Sequence, residues 1–593
     1  MLDGTTLRAA EDAPVSGRHA GLPRRVLPLL PLAAPVVLLA VMGWRRRWMS
    51  DDGFINLRVV ENVFAGHGPV FNVGERVEVG TSTLWMGVLV LGHLLTPFTE
   101  PSVFAVYGGL AAAVAGLALA LRASVTVARV RGLTGIALPL GAVVVAALPP
   151  FWDFATSGLE TGLIFLWLGG SYWLLVRRWA AAPVGTPAGD REAGWRPLWP
   201  AVVIGLGPLV RPDLGLIAAA LGLALLAQSR RGLRSWLGTA VAAAALPVAY
   251  EVFRAGYYGT LVPNTALAKG AGSALWHNGA RYLADYAGTY ALLVPALLLA
   301  AFAWVPSVAR AARGRDLPTT ALVAAPVIGA AVHALYVIRL GGDFMHARFL
   351  LPATFAACMP VAAAVAGRTV RARAAVLLAV AAVTVWAVVA AATLRPGYLG
   401  TIGPAGIADE RGAYVSQALS ANPVRLEDYT TQGWYLLGQA LGQQAADGQR
   451  LYVDPPNARA VAGGHLIVVR YPNIGILGNS AGPAVLIADS LSLSDPVGAR
   501  LALAAPETSR AGHSHVVPPV WQEARYAAPS PTDDAALRDA REALGCGELV
   551  ELQTAVTARM SPSRFVSNLL AAPGLTTLQI PEDPQEAVQT FCR

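Results

Sequence analysis

The chain has 593 residues, of which 55% are hydrophobic and 14% charged, and its mean hydropathy is +0.49; a soluble domain carries about 25% charged residues. That composition excludes an ordinary soluble enzyme and predicts a polytopic membrane protein. The net charge of +8 does not argue for a nucleic-acid partner, because the basic residues stand in short clusters between apolar segments, where they orient helices.

Residues 1–22 read as a disordered cytoplasmic N-terminus. The first apolar run, 26–44, follows Arg24 and Arg25 and ends in Arg45, Arg46 and Arg47 with no small-residue cleavage site, so a retained signal anchor is expected. Further runs long enough to span, or nearly so, lie at 103–121, 135–150, 159–176, 236–253, 289–305, 321–338, 349–366 and 374–394. Clusters at Arg122/Arg129/Arg131, Arg177/Arg178/Arg191/Arg196, Arg230/Arg231/Arg234, Arg310/Arg313/Arg315 and Arg368/Arg371/Arg373 mark cytoplasmic ends. Basic loops on both sides of 198–227 require an even number of crossings, hence a hairpin turning at Arg211-Pro212-Asp213 in a protein-lined cavity. Residues 84–95 are too few to span and read as a re-entrant or interfacial helix.

The expected fold is therefore a polytopic α-helical membrane domain, 23–394, with about eleven transmembrane helices and a flexible cytoplasmic loop at 183–196, followed by an extracytoplasmic α+β domain, 395–593. Only Arg45, Arg46 and Arg47 break the charge rule by falling outside. In the tail, strand-like runs at 451–453, 466–469 and 485–488 alternate with helical stretches such as 536–544. Trp434, Tyr435, Tyr471, Trp521 and Tyr526 offer sugar-stacking surfaces, although aromatics in a small domain are more often core. Carbohydrate binding is the expected role of this domain. His513 and His515 lack further ligands at a defined spacing for a metal. Cys546 and Cys592 are the pair able to bridge in an oxidising space.

The same topology puts Asp51, Asp52, Glu61, Glu75, Glu78, Glu160, Asp213, Asp285 and Asp343 on the external side. Ionisable groups at membrane depth facing a cavity are costly and by default functional. Asp51 and Asp52 open a stretch, with Phe54, Leu57, Val60 and Phe64 at helical spacing, that suits a helix lying along the membrane surface. Acids at a helix start also satisfy free N–H groups and the helix dipole. Beyond that structural role, adjacent carboxylates can serve as general base, as nucleophile, or as ligands to a divalent cation (magnesium, manganese or calcium) bridging a phosphate. The sequence does not choose. His67 and Glu75 sit in turns of the same loop, and Glu160 closes Thr156-Ser157-Gly158-Leu159-Glu160. Arg211 with Asp213, Asn264 with Lys269, and Asp343 with His346 and Arg348 bring cations and amides from three more external loops, a set suited to a lipid-phosphate head group. The structural alternative pairs Arg211 with Asp213 and Arg348 with Asp343. Lys269 stands out as the sole lysine among 45 basic residues.

Taken in order, Asp51-Asp52-x-Phe54-Ile55-Asn56-x-Arg58, Gly66-His67-Gly68-x-Val70-Phe71-Asn72-x-Gly74-Glu75-x-Val77-Glu78, Leu84-Trp85, Ser157-Gly158-Leu159-Glu160, Arg211-Pro212-Asp213, Pro263-Asn264-Thr265 with Lys269, and the segment from Gly341 to Pro352 form a pattern. It resembles the actinobacterial terminal β-(1→2)-arabinofuranosyltransferases of cell-wall arabinan. Gly475-Ile476-Leu477-Gly478, Ile487-Ala488-Asp489 and Leu493-Ser494-Asp495-Pro496 resemble that family's external domain, while Val79 departs from it, since relatives tend to have an aromatic nearby. The resemblance implies a GT-C fold and location in the cytoplasmic membrane with an extracytoplasmic active site. It implies decaprenyl-phosphoryl-arabinofuranose as donor, an arabinan non-reducing end as acceptor, and Asp51 or Asp52 as principal catalytic carboxylate. It also implies retention of configuration, by double displacement or front-face substitution. A lipid-phosphate leaving group already contains the energy for transfer, and the sequence shows no GxxxxGK[ST] loop and no strand-bound GxGxxG.

Three other readings compete: a polyprenyl-phosphate-sugar flippase, a transferase for another sugar, and an inactive sugar-binding scaffold. A flippase should carry polar groups through the membrane to both faces, often with a repeat, and the sequence shows no repeat. A scaffold leaves the external acids without a role.

Overall fold

The computed structural model describes residues 30–133, 135–181, 198–229, 232–269, 274–314, 316–365, 369–502, 513 and 515–593. The expected N-terminal tail, 1–22, and the loop 183–196 lie outside the described residues. Among the described residues five helices are long and apolar enough to cross a membrane: Pro101–Val130, Leu233–Tyr258, Leu293–Arg313, Leu317–Arg339 and Val370–Ala392. This is a membrane protein. Leu30–Arg45, Thr83–Leu95, Trp199–Val210, Pro212–Ala227 and Arg348–Val361 are apolar but shorter, and Thr161–Ala180 adds 20 residues.

Several runs expected to span as single helices are thus short or broken. The run 135–150 holds a strand, Ala137–Pro139, then the helix Gly141–Ala147, and a second helix starts only at Pro149. Leu148 is extended at φ −88° and ψ 118°, because a residue before proline is kept out of the α region. The run 349–366 likewise ends in a strand, Ala363–Val365, paired antiparallel with Ala137–Pro139.

Helices Pro101–Val130 and Thr161–Ala180 run parallel along a seam of glycines. A Cβ on Gly162 would collide with the carbonyl of Gly109, and one on Gly169 with the carbonyl of Gly116. Small residues seven apart on both helices let the backbones touch, where dispersion and not water drives packing. Parallel neighbours require the intervening chain to cross back, which the broken 135–154 segment does. Arg122 and Arg177 both sit against Trp173, at 5.6 and 5.4 Å from its ring, so these two basic clusters share one end. The exception at Arg46 also has a cause. Its guanidinium forms a two-pronged pair with Asp153, at 2.6 and 2.9 Å, while Arg47 lies over Trp44 at 4.4 Å.

The segment 198–227 is a hairpin as expected. Arg211 is extended at φ −165° and ψ 138° between its arms, again ahead of a proline, and the arms pack on one another.

In the tail, strands Leu451–Asp454, Asn457–Ala460, Ile467–Tyr471 and Val485–Asp489 form one sheet. Asn457–Ala460 is at the edge, antiparallel to Leu451–Asp454, and the other two add in parallel. The edge strand, Asn-Ala-Arg-Ala, is largely exposed, so it carries no apolar alternation for a sequence reading to find. Helix Gly475–Ala481 makes the crossover between the last two strands. Cys546 and Cys592 are bridged.

The segment that follows the first apolar helix does not stand apart from the rest of the molecule. Ser50 caps helix Asp51–Phe64 by accepting from the Gly53 N–H, and nine of the helix's side chains are buried, because the tail domain covers it. Arg58 reaches across to the carbonyls of Gly478, Gly482 and Val485. The Asn72 amide both donates to and accepts from Ile487, at 3.0 Å each. These buried contacts make membrane part and tail one body.

Candidate functional site

Two chambers meet where the membrane bundle faces the tail domain. One, about 200 Å³, is lined by Asp52, Glu160, Arg211, Asp213, Thr265, Lys269, Tyr336, Asp343, Arg348 and Phe349. The other, about 270 Å³, is lined from the bundle side by Asp51, Asp52, Lys269 and Phe344 and from the tail side by Glu410, Tyr414, Gln417, Trp434, Asn473 and His513. Among the described residues, Asp52 is the only carboxylate, and Lys269 the only cation, that line both.

The membrane-side chamber holds interlocked ion pairs. Arg211 donates from Nε and Nη2 to the two oxygens of Asp213, each at 2.7 Å, with its plane 4.7 Å from the Phe349 ring. Arg348 donates from Nε to Asp343 at 2.7 Å and stacks on Phe349 at 4.8 Å. Both structural pairings weighed from the sequence therefore exist, yet neither consumes the whole guanidinium. Arg211 Nη1 is buried with no hydrogen-bond partner, 3.5 Å from Glu160. Arg348 Nη1 stands 3.8 Å from Asp52, and Lys269 Nζ is 5.7 Å from the Phe344 ring. Since the four carboxylates outnumber the three cations, an anion entering here would be held by these leftover directed donors and not by bulk positive potential.

The adjacent aspartates divide. Asp51 is buried, and its carboxylate accepts from the backbone N–H groups of Ile476 at 2.7 Å and Gly475 at 3.1 Å. A Cβ on Gly475 would strike the Asp51 carbonyl, so only glycine permits this approach. Burial pushes the Asp51 carboxyl up to about 6, with the two amides pulling the other way and Asp52 adding to the rise. Asp52 keeps 28% of its side chain exposed. The pair is thus no chelate: both Asp51 oxygens are committed to amides, and among the described residues no three acidic, histidine or cysteine side chains gather as a metal site. The donor set at Asp51 and Asp52 does not fit a divalent cation.

Four other expected site residues lie outside both chambers. Glu75 is buried against the tail, accepting from Arg525 at 2.8 Å and Tyr526 at 2.9 Å. Asn264 donates to the carbonyls of Ser492, Leu493 and Asp495. His67 is exposed in its turn, its backbone N–H bonded to Asn62. His346 sits in a separate buried cluster, its Nδ1 2.6 Å from Asp285 and 3.0 Å from Tyr398 and its Nε2 3.2 Å from Tyr290. For Glu75 and Asn264 the reason is shared: residue type was legible, but the tail domain that claims them is about 200 to 450 residues away in the chain. Of the tail aromatics, Trp434 reaches a chamber, whereas Trp521 and Tyr526 are buried in the domain core.

Sequence reading missed His333 and Tyr336, and it weighed His513 only as a weak metal ligand, whereas the ring lines the tail-side chamber. His333 is fully buried with Nε2 2.6 Å from Asp213. In an apolar helix such a histidine gives no signal until its partner is placed; Tyr336 follows three residues on, the spacing that puts both on one face.

Residues 456–590 match the AftB family C-terminal domain. The chain is 35% identical to a terminal β-(1→2)-arabinofuranosyltransferase of Corynebacterium glutamicum, over 93% of this chain and 85% of the relative. It is 32% identical to a terminal β-(1→2)-arabinofuranosyltransferase of Mycobacterium tuberculosis, over 95% of this chain and 96% of that one. Among solved structures it is similar to ArnT from Cupriavidus metallidurans bound to undecaprenyl phosphate, with TM-score 0.41 and 13% identity, covering 94% of this chain and 90% of that one.

Proposed function

The chain belongs to the terminal β-(1→2)-arabinofuranosyltransferase family, a family of glycosyltransferases, and from that premise we propose how its two chambers divide the work. The membrane-side chamber takes a decaprenyl-phosphoryl-arabinofuranose donor, its phosphate on Arg211, Arg348 and Lys269. The tail-side chamber takes the non-reducing end of an arabinan. The acceptor sugar lies against Trp434, whose buried Nε1 has no hydrogen-bond partner among the described residues and is a donor for a sugar hydroxyl. The observation that carries this reading is that Asp52 and Lys269 border both chambers. The reacting carbon must sit at that junction, within reach of the acceptor hydroxyl on one side and the departing phosphate on the other.

Asp52 is then the carboxylate at the reacting centre, and Lys269 with the free N–H groups of both arginines stabilises charge developing on the leaving phosphate in a water-poor cleft. Asp51 borders the tail-side chamber, but both of its carboxylate oxygens accept from the Gly475 and Ile476 amides, so its part is to hold the tail domain in place. The tail contributes the acceptor wall, which makes it a carbohydrate-binding domain. The Cys546–Cys592 bridge suits an oxidising space and supports the tail and both chambers lying on the extracytoplasmic face of the cytoplasmic membrane. Family membership favours transfer over a flippase.

Mass spectrometry of a synthetic arabinan acceptor, incubated with the purified protein and a panel of polyprenyl-phosphate sugars, tests this. The expected product gains one pentose from the arabinofuranosyl donor. An acceptor unchanged in mass with every donor overturns the reading.

A further inference from the structure

His333 belongs to helix Leu317–Arg339 and is completely buried in the membrane bundle. Burying a polar ring among apolar side chains is costly unless a partner is supplied. Its one partner is Asp213, 2.6 Å from Nε2, while Nδ1 is buried without any. Asp213 already accepts from Arg211 as a carboxylate and has no proton to give, so Nε2 carries the hydrogen and donates to Asp213. The same carboxylate oxygen accepts from Arg211 Nη2 at 2.7 Å, and the other accepts from Arg211 Nε at 2.7 Å. Each member fixes the next: the helix holds the ring, the ring holds the carboxylate, and the carboxylate holds the guanidinium flat over Phe349 at 4.7 Å. Arg211 Nη1 is left buried beside the membrane-side chamber with no hydrogen-bond partner among the described residues, the Glu160 carboxylate standing 3.5 Å away. An unsatisfied charged N–H is expensive to keep, which points to a group that arrives to accept from it.

Granting the chamber its proposed lipid-phosphate donor, we propose that His333 is a positioning residue: through Asp213 it sets the Arg211 guanidinium so that Nη1 meets the phosphate oxygen of the incoming donor. Without the ring, Asp213 swings about its side-chain torsions and carries the guanidinium with it, and the phosphate loses a directed donor. The effect falls on donor recognition and leaves the acceptor side, lined from the tail, alone.

The experiment is steady-state transfer by the full-length protein in nanodiscs, with a polyprenyl-phosphoryl-arabinofuranose of short chain as donor and a synthetic arabinan as acceptor. His333→Leu, His333→Gln, Arg211→Gln and the double variant His333→Leu/Arg211→Gln are compared. His333→Leu should raise donor KM by about 10-fold or more, the loss expected for one charged-group hydrogen bond, with acceptor KM unchanged. His333→Gln, whose amide N–H can donate to Asp213, should recover most of that loss. Because His333 acts through Arg211, the double variant should be no worse than Arg211→Gln alone. A His333→Leu enzyme with normal donor KM overturns the inference, as does one whose donor and acceptor KM rise together, or a His333→Gln that fares no better than leucine at matched thermal stability. If Arg211→Gln itself leaves donor KM unchanged, the assignment of the phosphate to this chamber fails, a result distinct from failure of His333 alone.

Discussion

Asp51 and Ile476 are joined by a 2.7 Å hydrogen bond in which the Ile476 N–H donates to the Asp51 carboxylate, although 425 residues separate them in the chain. Consecutive residues of a helix point about 100° apart. That angle lets both Asp51 oxygens meet amides of the tail while Asp52 turns toward Arg348 and borders both chambers, which is why the proposed chemistry falls to one residue of a two-residue motif.

The depth of Asp51 gives a pH dependence with a definite sign. Its folded-state carboxyl is pushed up to about 6 from 3.8 by burial, so the folded protein binds that proton more tightly than the unfolded chain. The contribution to stability is whole below about pH 4 and is lost as pH rises through about 6. Asp489, completely buried and pushed up to about 7, has the same sign. The thermal midpoint of the reconstituted protein should fall by about 5 °C between pH 5 and pH 8, and the combined Asp51→Asn and Asp489→Asn variant should flatten that slope. A midpoint that rises over the same range would reverse the assigned sign.

Glu75 is expected to matter for folding and not for chemistry. It pairs with Arg525 at 2.8 Å with both side chains about 5% exposed, and removing it leaves the buried Arg525 with Asp495 alone, at 2.9 Å, and takes the acceptor from the buried Tyr526 hydroxyl. Glu75→Ala should cost about 3 kcal/mol in denaturant unfolding, yet the folded enzyme should keep its KM for donor and for acceptor. Collapse of kcat in a fully stable variant would return Glu75 to the active site.

Trp434→Ala should weaken acceptor binding, raising acceptor KM about 10-fold through loss of the stacking face and the indole N–H, with donor KM unchanged. Equal rises for both substrates would mean that the two chambers do not sort the substrates as assigned.

Lys269→Ala should act mainly on kcat, by about 100-fold, since a cation at the junction does its work as charge builds on the leaving phosphate. Lys269→Arg should recover part of the rate. A pure donor KM effect in both would make Lys269 a ground-state contact only.

Much of this was legible in the sequence because membranes write coarse signals. Apolar length and arginine position located the bundle and the hairpin at Arg211-Pro212-Asp213, and grouped the acids that line one chamber. The same signals overstated continuity where prolines break a helix, as at Pro149. Within the site, Asp52, Glu160, Arg211, Asp213, Lys269, Asp343 and Arg348 do line one chamber. Glu75 and Asn264 belonged to the same motifs but serve as clamps, and nothing local distinguishes a carboxylate facing a substrate from one facing Arg525. His333 was invisible for the converse reason: its meaning lies wholly in a contact 120 residues away.

The most direct test compares the two aspartates in single-turnover transfer, with donor bound in excess and product followed by mass spectrometry. Asp52→Asn should fold like the parent and slow the chemical step by about 1,000-fold or more. Asp51→Asn should react within about 10-fold of the parent once correctly folded, its defect appearing as lower thermal stability. A well-folded, inert Asp51→Asn beside an Asp52→Asn that turns over at the parental rate would contradict the assignment of chemistry to Asp52.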